Sequence, residues 1–384
     1  MRIAVIAIML LLSAAGLAVA APAGDPVSEL TGVISWEEVN NFITRINREL
    51  NEDIPLLSGD TVRNIASRGF SLDWEGIKQS FLARLFKEVT ANIHLLGKLL
   101  FLAVLCVLLQ NLQSSFEGST ISVLAYNICY IFLAVIALTA FYNALALARA
   151  AVGNMVGFME ALLPLVISLL AGVGAVTTAA LFTPLMLFVV NTVSVVVKDL
   201  VLPLFLFAAV LQCVNLLAGK YQVKNLSGLL RQIGVAALGL TMVVFVGIIT
   251  VQGVAGGVAD GVALRTAKYA TGTFIPVLGK MFVDTVEMVM GASLLLKNAI
   301  GLFGIVTVLT ICAFPLIKLA SLIFVIKLAG ALIEPMGDER MAKCLDGMGD
   351  NLILVFGAVL AVAIMFFLAI TIIIGVGSVT MMLR

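Results

Sequence analysis

Charge is what this sequence has least of. Lys, Arg, Asp and Glu make up 12% of its 384 residues, about half the share of a soluble domain. Hydrophobic residues make up 62% and the mean hydropathy is +1.16. Such a chain cannot solvate its surface with water, and the composition predicts an all-α polytopic membrane protein with lipid as its main surroundings. Histidine is nearly absent: His94 is the single one, at the mouth of an apolar run. Cysteine is sparse, with Cys106, Cys129, Cys213 and Cys312 inside apolar runs, Cys344 in a short polar loop, and no CxxC or paired spacing. A metal or haem centre needs convergent ligands, so no cofactor is expected. The net charge of +1, without a basic run, leaves no footprint for nucleic acid. GxxxxGK[ST], GxSxG, HExxH and a strand-borne GxGxxG are all missing, and no enzyme is expected.

What is present begins with an export pattern. Arg2 precedes the apolar stretch Ile3 to Leu12, and Ala18-Val19-Ala20 forms an A-x-A site before Ala21. Residues 1–21 are read as a cleaved signal peptide, with an uncleaved anchor as the alternative. Either way, the polar segment 22–93 is expected outside the cytoplasm. It holds 11 of the 22 acidic residues and 7 of the 23 basic ones. Ser35 and Glu38 make a capping box, and Trp36, Val39, Ile43, Ile46 and Leu50 recur at helical spacing. A second amphipathic helix is expected from Ser71, with Trp74, Ile77, Phe81, Leu85 and Val89 on one face. The pair is expected to pack on itself, with partner binding or a place on the membrane interface as further uses.

The membrane part opens with a two-helix hairpin over 94–150, with spans from Leu95 to Leu112 and from Ile121 to Leu147. Beyond Arg149 the apolar runs are punctuated by Pro and Gly, and Pro164, Pro203, Pro276 and Pro315 are expected to kink or break helices. Further spans are read at Thr178 to Val197, Leu200 to Leu217, Ile233 to Val251 and Leu352 to Ile374. The stretch Ile300 to Ile333 is taken as two spans, or as one span plus a re-entrant piece. The total is about eight transmembrane helices.

Self-comparison suggests a repeat. Leu163-Pro164-Leu165-Val166 resembles Ile275-Pro276-Val277-Leu278, and Leu202-Pro203-Leu204-Phe205 resembles Phe314-Pro315-Leu316-Ile317, both at the same offset. Residues 155–254 and 268–377 are therefore proposed as two copies of one unit. Lys220, Lys224 and Arg231 mark Gly219 to Arg231 as a cytoplasmic loop. Its counterpart, Glu334 to Asp350, is rich in acid, which points to inverted copies.

Ionisable residues within apolar sequence are costly and usually face protein or water. Lys280, Asp284, Glu287 and Lys297 fall in one helical stretch, the first three on one face. They are candidates for a polar path or a subunit contact, with an amphipathic surface helix as the plainer alternative. Glu160 is expected near Arg149, and Lys98 is expected to reach the headgroups. Glycines at Gly153, Gly157, Gly253, Gly257 and Gly261 offer close helix contacts.

Several stretches together resemble the stage III sporulation protein AE family. They are Gly291-Ala292-Ser293-Leu294-Leu295-Leu296-Lys297-Asn298-Ala299, Cys312-Ala313-Phe314-Pro315, Glu334-Pro335-Met336-Gly337-Asp338 and Met365-Phe366-Phe367-Leu368-Ala369-Ile370-Thr371. The resemblance in order of features covers nearly the whole chain and implies an endospore-forming bacterium. It implies a place in the mother-cell membrane facing the engulfed forespore, within the channel or secretion-like complex that supports late forespore gene expression. The implied partners are other stage III sporulation A-operon membrane proteins and, through the complex, a forespore membrane protein. It carries over no catalytic residues. A structural subunit of that complex is one reading. A secondary-transporter-like permease moving a small solute through an inverted-repeat core is the other.

Overall fold

The computed structural model describes residues 37–50, 58, 74–115, 120–217, 224–274 and 278–382. Residues 1–36, with the expected signal peptide and Ser35, lie outside the described residues, as does Pro276. The described residues form α1 (Glu37–Leu50), α2 (Trp74–Ala91), α3 (Ile93–Ser115), α4 (Thr120–Gly172) and α5 (Val176–Val195). A π-helical turn (Val196–Val201) joins α5 to α6 (Leu202–Leu217). Then come α7 (Lys224–Phe274), α8 (Leu278–Ile333), a 3-10 turn (Glu334–Met336) and α9 (Glu339–Met382). No strand occurs among the described residues.

Among the described residues, five helical runs are long and apolar enough to cross a membrane: Leu124–Gly172, Val176–Leu216, Asn225–Ala267, Val286–Met336 and Glu339–Val376. A sixth exists if Leu82–Ala91 and Ile93–Leu109, bent by 44°, count as one broken span. The described residues thus supply five or six of the expected eight, and several boundaries read from hydropathy are not helix ends. Arg149 interrupts the apolarity but not the helix: Ala148, Arg149, Ala150 and Ala151 are strong helix formers, and α4 runs through all of them. It also runs through Pro164, and α8 through Pro315. At 53 and 56 residues, α4 and α8 are about 80 Å long, well over twice the hydrocarbon thickness of a bilayer. The proposed unit boundaries at 150, 155, 254 and 268 all fall inside continuous helices.

The Gly-rich stretch 253–261 likewise stays helical within α7. In lipid, helix association gains little from expelling water, and close packing decides it. A Cβ on Gly253 would lie 2.9 Å from Ile372 and 3.0 Å from Val376 of α9, so this glycine admits α9 rather than ending α7. Gly174 does end a helix. Its φ of +90° closes the turn between α4 and α5, where Met290 and Leu264 crowd in. The core centres on α8 and α9, with Leu352, Val355, Val359, Val362, Phe366 and Ile370 buried at helical spacing along α9. By contrast, α7 leaves Leu240, Val243, Val251 and Val254 exposed, a surface suited to lipid.

The N-terminal helices do not pair with each other as an isolated core. The apolar stripe of α1 is present, but Val39, Phe42, Ile43 and Ile46 are buried in the common core. Phe42 stacks 6.0 Å from Phe158 of α4, while Glu37, Glu38, Arg45 and Arg48 remain exposed. α2 instead packs on α8, where the Arg84 guanidinium sits 4.1 Å above the Phe314 ring.

The contacts of the described residues give no support to an inversion of the two copies. Arg231 lies 3.7 Å from Asp350, and the Cys213 and Cys344 sulfurs are 2.9 Å apart. The regions flanking both loops thus meet at one end of the bundle.

Candidate functional site: polar contacts inside the apolar bundle

Three groups of polar side chains interrupt the apolar packing. The largest lies at the end where the loops meet. Lys327 of α8 directs Nζ to Asp346 Oδ1 at 2.5 Å and to Asp350 Oδ1 at 2.6 Å on α9. Arg231 of α7 approaches Asp350 from the other side. Two cations and two carboxylates therefore neutralise one another across three helices. Beside them, Asn351 donates to Gln212 Oε1 of α6 at 3.1 Å and to the Gly347 carbonyl at 2.9 Å. Gly347 is required there, since a Cβ would collide with the Gln212 amide. One layer away, Asp338 accepts from the Tyr126 hydroxyl and from the Met341 N–H, both at 3.0 Å. The Met341 bond caps the first turn of α9. Tyr130 donates to the Cys213 carbonyl at 3.0 Å. Asp338 and Tyr130 thereby tie α4 to this end.

The second group lies halfway along α4 and the α5–α6 run. In the π turn the Leu202 N–H bonds back to Val197 O. Continued at that pitch, Lys198 O would receive the N–H of residue 203, but Pro203 has none. Arg149 supplies the missing donors, with Nε at 3.1 Å and a terminal nitrogen at 2.8 Å from Lys198 O. The guanidinium also stands 3.9 Å from Asp199. Pro203 thus belongs to a π-helical irregularity bridged to α4. Glu160, expected beside Arg149, is eleven positions along the helix, roughly 16 Å away, and Arg149 uses Asp199 instead.

The third group is at the opposite end. The helix α5 starts without a side-chain cap of its own at Ala175. Asp260 of α7, buried, accepts the N–H groups of Thr177 and Thr178 at 3.0 and 2.9 Å and takes that role across the bundle. Lys297 of α8 is fully buried and donates to Ile374 O of α9 at 2.7 Å.

Of the four candidates read from the sequence, Glu287 and Lys297 have described side chains. Lys280, Asp284, Glu287 and Lys297 all belong to α8, but the side chains of Lys280 and Asp284 lie outside the described residues. Glu287 is half-buried, and Lys297, ten residues on, turns to α9. The groups that the structure does bring together, Asp260, Asp338, Tyr130, Arg231, Asp350 and Gln212, were not singled out as site residues. Asp260 carries a usable signal, as a lone acid inside an apolar, Gly-rich run. The others depend on contacts between residues 83 to 212 positions apart. Among the described residues, no three His, Cys, Asp or Glu side chains are placed to hold a metal ion.

Together these features define a class: an all-helical bundle suited to a membrane, whose polar groups join helix to helix. The chain belongs to the stage III sporulation protein AE family, whose model matches residues 58–377. It is 44% identical over 306 residues to stage III sporulation protein AE of Bacillus subtilis (strain 168), covering 80% of this chain and 77% of that protein. No solved structure matches the chain. The family gives the protein a role in sporulation.

Proposed function

We propose that the protein is a structural membrane subunit of the channel or secretion-like complex joining mother cell and forespore. In this reading it sits in the mother-cell membrane facing the engulfed forespore, with segment 22–93 extracytoplasmic. Its partners are other stage III sporulation A-operon membrane proteins and, through them, a forespore membrane protein, and late forespore gene expression depends on the assembly. One observation favours a scaffold. Arg149, Arg231, Asp260, Lys297, Lys327, Asp346 and Asp350 all contact a second helix, and such contacts fix a shape.

The second reading, a permease for a small solute, draws on the half-buried Glu287 of α8 and its neighbour Asp284. One experiment separates them. Asp284→Asn, Glu287→Gln and Lys327→Met are each introduced in a sporulating host, and co-isolation of the A-operon partners is followed beside a late forespore reporter. A scaffold expects Lys327→Met to lose both signals and the other two variants to keep them. If Asp284→Asn or Glu287→Gln silences the reporter while the partners still co-isolate, the scaffold reading fails in favour of transport.

A further inference from the structure

Where α2 gives way to α3 the chain bends by 44°. Asn92 fixes this elbow: its side-chain amide donates to Glu88 O at 2.9 Å and to Ser321 Oγ of α8 at 3.3 Å. Beside the bend is a groove of about 650 Å³ lined by Ile93, His94, Gly97, Lys98 and Phe101. Its two chemistries are segregated. Ile93 and Phe101 are 56% and 69% exposed, although both are large and apolar. His94 and Lys98, one turn apart, are exposed too, and neither meets a carboxylate among the described residues. Gly97 between them has nothing within 4 Å of where a Cβ would stand, so the helix surface is open along the groove. A polar, charged helix precedes the elbow and a strongly apolar one follows it.

We propose that this elbow binds an anionic phospholipid, with Lys98 and His94 holding the phosphate and an acyl chain lying along Gly97 and Phe101. The charge selects an anion, because two cationic or hydrogen-donating side chains one turn apart meet no acidic partner among the described residues. The apolar walls select an amphiphile over free phosphate, which gains nothing from Ile93 or Phe101. The position selects lipid over an acidic peptide: within two turns of the start of the apolar α3, just after the charged α2, Lys98 can extend its ammonium to the headgroups. The site is independent of the complex proposed above and needs no other protein.

The test uses the full chain reconstituted in vesicles. Trp36 and Trp74, the only tryptophans, are replaced by Phe, and Phe101→Trp serves as reporter. Quenching is compared for brominated phosphatidylglycerol and brominated phosphatidylcholine at equal low mole fraction. The expected result is a preference for phosphatidylglycerol of about fivefold for each cationic contact. Lys98→Gln with His94→Gln should abolish it, and Lys98→Arg should retain it. Both positions are exposed, so these changes leave the core intact. Equal quenching by the two lipids in the parent would overturn the proposal, as would a preference that survives the double Gln change. Displacement of phosphatidylglycerol by millimolar inorganic phosphate would also overturn it, since the site would then recognise the bare anion.

Discussion

Asp260 caps a helix to which it does not belong: its carboxylate accepts the Thr178 N–H at 2.9 Å, 82 residues away in sequence, and that of Thr177 at 3.0 Å. The first turn of α5 has donors that no side chain of its own satisfies. Buried donors left unpaired are expensive, the more so where water is excluded. Asp260→Ala is therefore expected to cost about 1–3 kcal/mol, seen as a lower thermal midpoint of the detergent-solubilised protein. Asp260→Asn, which keeps one acceptor oxygen, should fall between. An Ala variant that melts with the parent would show that this cap contributes nothing.

The contact between Cys213 and Cys344 tests the arrangement of the two connections directly. All five cysteines are free, and these two are buried 2.9 Å apart on α6 and α9. Treating membranes with diamide should yield a linked Cys213–Cys344 peptide by mass spectrometry, and Cys213→Ser should remove it. Inverted copies would place the two residues at opposite membrane faces, and no such peptide could form.

The helical class, the amphipathic face of α1 and the short connection that holds Gly337 were legible in the sequence, and the break at Gly174 follows the same chemistry. Each rests on local chemistry: apolar composition, 3.6-residue periodicity, and glycines that take positive φ at +90° and +93°. Span boundaries were not legible at Arg149, Pro315 or Gly253 to Gly261. A change in hydropathy reports a change of surroundings, whereas helix continuity depends on propensity and on neighbours such as Ile372 that fill the space beside a glycine. The candidate cluster on α8 was chosen by spacing along one helix. Lys297 finds a partner across helices, at Ile374, and such a pairing has no signature within a short window.

Phe42 and Gly157 set how α1 docks. A Cβ on Gly157 would lie 2.7 Å from the Phe42 ring, which also stacks near Phe158 and lies beneath the Arg45 guanidinium. Gly157→Leu should expel the ring and lift the helix. Ile43 is 1% exposed, so Ile43→Cys should resist a maleimide in the parent and be labelled rapidly once Gly157→Leu is added. Unchanged protection would mean that the remaining contacts of Val39 and Ile46 hold α1 without the aromatic pair.

Lys327 stands between two carboxylates, and its loss should cost more than the loss of either. Without its ammonium, Asp346 and Asp350 repel each other, and Arg231 is 3.7 Å from Asp350 alone. Lys327 is 32% exposed and Asp346 62%, so screening limits the Asp346 pair to about 1 kcal/mol or less. The Asp350 pair is less open, and Lys327→Met is expected to cost more, up to about 3 kcal/mol, as an unpaired charge in a partly buried setting. Adding Asp350→Asn to Lys327→Met should recover part of that loss. A double-mutant cycle on thermal midpoints in detergent should then give a coupling above about 0.5 kcal/mol. Strict additivity would instead mean that the two side chains are solvated separately and that α8 and α9 are held by apolar packing alone.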